Sequence, residues 1–118
     1  GIKMKKILWF SRHPAAENQV AELKKIYGED TAVIQYGAKV SSAEDIISVY
    51  KREKADDMVI VAPLSVIAVV CQYGMHPLYA QMEQVPIEEA EVTANGRGFK
   101  FVEFRRIKRL ALEFYDKI

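Results

Sequence analysis

Three polar residues, Ser11, Arg12 and His13, follow directly on the apolar run ILWF and precede Pro14 and a stretch of helical character. Two of the three can be cationic. An arginine offers a forked, planar set of donors suited to phosphate. A histidine can take or give a proton near neutral pH. Placed between the end of a strand and the start of a helix, they stand where free backbone N–H groups and the helix dipole favour an anion. That chemistry is a phosphate pocket with His13 as an acid or base within it. The plain alternative is that Ser11 caps the helix, Arg12 pairs with a carboxylate such as Glu17, and His13 is a solvated loop residue.

Such a pocket needs elements that bring several loops to one edge. KKILWFS reads as strand one. PAAENQVAELKKIYG carries Ala16, Val20, Leu23 and Tyr27 at helical spacing, with Pro14 in the first turn and Gly28 as the stop. TAVIQY is a second strand. SSAEDIISVYKREKA opens with Ser41 and Glu44 at capping-box spacing and buries Ile46, Ile47 and Tyr50. MVIVAP is apolar throughout, as a central parallel strand covered on both faces would be. LSVIAVVCQYG reads as a short buried helix ended by Gly74, and HPLYAQME as strand four.

Alternating strands and helices require crossover connections and a parallel sheet. The expected architecture is a Rossmann-like three-layer α/β domain with a mainly parallel sheet of order 2-1-3-4. Residues 1–85 form its core and 86–118 a hairpin and C-terminal extension of the same single domain. The hairpin is signalled by Asn95-Gly96 between two extended runs. The segment RRIKRLALEFYDKI fits a strand through Leu110, Leu112 and Phe114. It fits a helix equally through Ile107, Leu110, Ala111, Phe114 and Ile118, and the preceding hairpin tips the balance slightly to a strand.

In an open α/β sheet, ligands bind beyond the carboxyl ends of the strands where strand order reverses, here between strands one and three. That edge collects Ser11, Arg12 and His13, then Pro63, Leu64 and Ser65. Tyr36 and Gly37 end strand two beside them, and Glu83 and Gln84 lie further off. His76 precedes strand four and so falls at the opposite edge from His13, which argues against a two-histidine metal site. Asp56 and Asp57 begin strand three at that same opposite edge and read as the end of a helix and a loop.

Bulk properties narrow the classes. Net charge is +1, with no global field to draw nucleic acid or a membrane. The charge is locally uneven: Glu83, Glu88, Glu89 and Glu91 cluster without a base. Arg97, Lys100, Arg105, Arg106, Lys108 and Arg109 follow with only Glu103 among them. Phe99, Phe101 and Phe104 interleave the basic stretch, but alternation turns the aromatics to the core and the bases to water. Cys71 is the sole cysteine, in an apolar run, and reads as an inert buried thiol of a reducing cytoplasm. No run approaches a membrane span, and the N-terminal apolar stretch is too short for a signal peptide. The glycines do not form the dinucleotide or P-loop fingerprints. No cofactor or metal is expected.

Two motifs, FSRHPAAENQ and DMVIVAPLSVIAVVCQYG, together resemble small single-domain CRISPR-associated Rossmann-fold (CARF-like) proteins. Related phage-type Rossmann-like proteins show comparable patterns. The similarity spans roughly residues 5–85, and the hairpin and basic tail depart from it. The CARF-like group is implicated as ring nucleases, which bind and cleave cyclic oligoadenylates. The resemblance implies that Ser11, Arg12 and His13 contact the scissile phosphate, while Ser65 and the Pro63–Leu64 backbone line the opposite wall. It implies metal-independent cleavage, with the ribose 2′-OH attacking its own phosphorus and the protein supplying orientation and charge neutralisation. A two-fold homodimer would set two such sites face to face. The competing reading is a non-catalytic regulatory or interaction module that meets a protein partner through the C-terminal hairpin. A third is a mononucleotide-binding domain without chemistry.

Overall fold

A computed structural model describes residues 4–37, 42–111 and 113–116. Among them the elements run β1 (Lys6–Phe10), α1 (Glu17–Tyr27), β2 (Ala32–Tyr36), α2 (Ala43–Glu53), β3 (Asp57–Ile60) and α3 (Leu64–Gln72). Then come β4 (Leu78–Val85), a single 3-10 turn at Ile87–Glu89, β5 (Val92–Ala94) and β6 (Arg97–Arg106). The six strands form one mixed sheet of order β2-β1-β3-β4-β6-β5. The β1–β2, β1–β3 and β3–β4 pairings are parallel, and β4–β6 and β5–β6 antiparallel. The order 2-1-3-4 is therefore present, but the sheet is less parallel than the sequence suggests. β6 pairs with β4 from Val85↔Gly98 to Leu78↔Arg106, so it is an interior strand of the main sheet rather than an appendage.

Side-chain alternation along β1 divides the core. Leu8 and Phe10 face one side with Met58 and Ile60, packed under Ile46 and Val49 of α2 and Ile67 and Val70 of α3. Ile7 and Trp9 face the other with Val59, Leu78 and Ala80, under Leu23 of α1. All four residues of β3 are buried, as a strand covered on both faces must be.

Helix starts depart from the expected positions in two places. α1 begins at Glu17 with Ala16 as its N-cap, so Pro14 precedes the helix instead of occupying its first turn. No side chain caps the helix at Ala16, but the Gln19 Oε1 accepts from the Ala16 N–H at 2.8 Å and closes the turn there. α2 is capped by Ser42, whose Oγ accepts from Asp45 N at 3.1 Å; Ser41 lies outside the described residues. Gly28 ends α1 with φ +116°, a conformation glycine adopts without strain, as its position predicts. Beyond Arg106 the described residues are neither strand nor helix. Ile107 and Leu110 pack on the α2–α3 side of the core, whereas Phe114 and Tyr115 are exposed.

A bulge explains how two phenylalanines three residues apart can serve one face. Phe101 pairs with Met82 and Glu103 with Gln81, leaving Val102 as an extra residue. Strict alternation would turn Phe101 and Phe104 to opposite sides. The inserted residue resets the alternation, and both rings join the α1-side cluster 4.8 Å apart, with Trp9 edge-on to Phe104.

Candidate functional site

The carboxyl edge of β1, β2 and β3 brings the expected loops together. Ser11 N donates to Tyr36 O at 3.1 Å, and Gln35 Nε2 donates to Ser11 O at 3.1 Å. On the other flank, Val61 N donates to Phe10 O at 2.9 Å. The segment after β1 is thus held between the ends of its two neighbours.

Ser11 is buried, and its Oγ accepts from the His13 N–H at 3.2 Å, a short side-chain turn that bends the chain outward. Trp9 Nε1 donates to His13 O at 2.9 Å and fixes the turn from below. Arg12 and His13 are exposed, and among the described residues neither side chain makes a hydrogen bond or ion pair. Pro14, Ala15 and Ala16 separate them from α1, so that helix does not start directly at His13. Its first turn also carries Glu17, which opposes an anion there.

α3 is the better-placed helix start. Pro63 is its N-cap, no side chain caps it, and its first turn has no acidic residue. Val66 N and Ile67 N donate to Pro63 O, which leaves the Leu64 and Ser65 N–H groups outside the helical ladder. Ser65 is exposed, and Leu64 and Val61 are exposed apolar neighbours at 67% and 55%. Tyr36 is half-buried with its ring 5.8 Å from Phe10, and a Cβ on Gly37 would meet only Ser11 O at 3.9 Å. The edge therefore joins an arginine and a histidine side chain, both without a partner among the described residues, an open helix N-terminus and an apolar rim.

The opposite edge holds a polar cluster that the sequence did not reveal. Asp57 opens β3 with its carboxylate largely buried. Its Oδ1 accepts from Arg106 Nη1 and Met58 N, both at 2.8 Å. Its Oδ2 accepts from Arg106 Nη2 at 2.7 Å and from the Tyr27 hydroxyl. Arg106 Nη1 also donates to His76 O at 2.9 Å. Burial, then the hydrogen bond to Asp57, raises the Tyr27 pKa; the Asp57 bonds raise that of Arg106. A cleft of about 390 Å³ opens beside this cluster, lined by Tyr50, Asp56, Asp57, Met75, His76 and Arg106. Both carboxylate oxygens are already used, so the group ties β3, α1 and β6 together and presents no spare base.

One signal could have pointed to Asp57. A carboxylate leading an all-buried strand needs compensating partners. Its partner lies 49 residues away among 17 lysines and arginines, and only the fold selects Arg106. His76 sits at this edge and His13 at the other, as their places before β4 and after β1 require. Among the described residues no cluster of His, Cys, Asp or Glu could hold a metal, and no helix is long and apolar enough to cross a membrane. Cys71 is partly buried on α3, and burial raises its pKa. No protein-family model, curated protein or solved structure is similar enough to this chain to count as a match.

Proposed function

We propose that the carboxyl edge of β1 and β3 binds a phosphate-bearing nucleotide or cyclic oligonucleotide. The observation that carries this reading is the pair Arg12–His13, exposed and unpaired among the described residues, on the same sheet edge as the uncapped start of α3. The β2-β1-β3-β4 half, with α1 on one face and α2 and α3 on the other, supports a Rossmann-like layout. In it the reversal of strand order falls at β1 and β3. Arg12 and the Leu64 and Ser65 N–H groups take the phosphate, and the Val61–Leu64 rim suits the flat face of a base. Cytoplasmic location fits such a ligand.

Cyclic oligoadenylates are the first ligands to try, given the CARF-like resemblance. Cleavage on this reading forms a bond from the ribose 2′ oxygen to phosphorus and breaks the bond to the 5′ oxygen, with His13 moving a proton and Arg12 balancing charge. Melting temperatures of wild type and Arg12→Ala, measured against mononucleotides, dinucleotides and cyclic oligoadenylates, test binding. A ligand at a hundred times its dissociation constant stabilises by about 2.7 kcal/mol, and Arg12→Ala abolishes the shift. No shift from any of these ligands overturns the reading. If binding is seen, product analysis with His13→Ala decides cleavage.

A second reading, an interaction module without chemistry, is favoured by the exposed apolar residues of the hairpin and tail. Val92 and Val102 are about half-exposed, and Phe114 and Tyr115 almost fully so.

A further inference from the structure

β6 is ten residues long, while β5 covers only its first part, from Arg97 to Phe99. The next outward N–H, that of Phe101, is taken by the Glu91 side chain, whose Oε1 accepts it at 2.7 Å. The ladder on that side stops there. On the inner side β6 stays paired with β4 to Arg106, and Ile107 N still donates to Pro77 O at 2.9 Å. Backbone groups alternate in direction along a strand, so beyond the bulge the odd positions 103, 105 and 107 turn to β4. Phe104 and Arg106 turn outward, and among the described residues their outward groups meet no backbone partner.

Sequence at this edge is self-complementary. The stretch Val102–Arg106 has no proline or lysine, two residues that commonly blunt such edges. Antiparallel pairing of the stretch with itself about Phe104 sets Glu103 opposite Arg105 of a second copy, and Arg105 opposite its Glu103. Both side chains are more than half exposed, and within one chain they already lie 3.9 Å apart. Facing residues between hydrogen-bonded pairs come closest in an antiparallel ladder, which suits an ion pair. Val102, 43% exposed, lies at each end of the paired stretch. Among the described residues the tail turns away from the edge: Ile107 and Leu110 pack over the α2–α3 side of the core.

We propose that β6 pairs with β6 of a second copy about a two-fold axis at Phe104, joining two six-stranded sheets into one with reciprocal Glu103–Arg105 ion pairs. The bulge at Val102 and the Glu91 cap limit the pairing to a few residues. The resulting interface is smaller than that of a tight dimer, so association is weak and falls with salt. The proposal is independent of the nucleotide reading.

The test is sedimentation of the full chain over a range of concentration. Wild type is expected to shift from monomer to dimer as concentration rises. Glu103→Arg and Arg105→Glu are each expected to stay monomeric while keeping the wild-type circular dichroism spectrum and melting behaviour. An equimolar mixture of the two restores dimer, because every opposed pair is then of opposite sign. Wild type that stays monomeric through the millimolar range overturns the proposal. So does dimer in both variants, or a mixture that remains monomeric.

Discussion

Arg106 forks onto Asp57 with its two Nη atoms 2.8 and 2.7 Å from the two carboxylate oxygens. This pair joins the last residue of β6 to the first residue of β3, strands that are not neighbours in the sheet. Asp57, Leu78 and Arg106 lie on one face by their register with Ile7, Val59 and each other, and Tyr27 reaches down from α1 to complete the clamp.

Removing one partner of the clamp leaves the other badly placed. Loss of a fully buried partner costs about 3–5 kcal/mol. The guanidinium here is half-exposed and water can partly replace it, so Arg106→Ala is expected to cost nearer to about 2 kcal/mol. Urea denaturation of Arg106→Ala, Asp57→Ala and the double variant gives the coupling between them. A double variant no less stable than either single one is expected, and strict additivity would rule the clamp out.

Alkaline pH is expected to weaken the fold through Tyr27. Burial, followed by the hydrogen bond and charge of Asp57, raises its pKa above the usual value near 10. Folded protein therefore keeps the phenol proton where unfolded chain has begun to lose it. The stabilisation is fully present below about pH 10 and is lost as pH rises through the raised folded pKa. Tyr50, raised mainly by burial, adds a slope of the same sign. Melting temperature measured from pH 8 to 12 should fall less steeply in Tyr27→Phe than in wild type.

Trp9 couples the core to the candidate site. Its indole N–H holds His13 O at 2.9 Å while its ring packs edge-on to Phe104. Trp9→Phe removes the hydrogen bond and part of the ring volume and is expected to cost about 1–2 kcal/mol. The informative readout is nucleotide affinity relative to stability. Looser binding beyond that seen in an equally destabilised Leu23→Val control locates the effect in the 11–13 turn.

Gly98 marks a close approach where the hairpin folds back. A Cβ there would stand 2.7 Å from Ala90 Cβ and 2.9 Å from Val85 O. Backbone has no rotamer with which to yield, so Gly98→Ala is expected to cost about 1–3 kcal/mol. Gly96→Ala, in the adjacent turn, meets no atom within 4 Å but has φ +75°. Its penalty is backbone strain alone, and thermal melts of the two variants should rank Gly98→Ala the worse.

Much of the layout is written in local patterns. Short apolar, aromatic and β-branched runs specified β1 and β2, helical spacing specified α1 and α2, and Asn95-Gly96 specified the hairpin turn, because each signal acts within a few residues. Adjacency of the Ser11–His13 and Pro63–Ser65 segments followed from the expected strand order 2-1-3-4, which places strands one and three side by side. One helix start turned on a competing local bond: Pro14 was free to start a helix, but Gln19 closes the turn at Ala16 and the helix starts at Glu17. Two features depended on distant contacts. The bulge at Val102 arises because the α1 side of the sheet takes both Phe101 and Phe104, a demand visible only when β6 lies against β4. Asp57 carried the sign of an isolated carboxylate at a strand end. That it faces Arg106 across β4 was decided by tertiary structure alone, because burial makes a charge require a partner without saying which of many cations will be brought there.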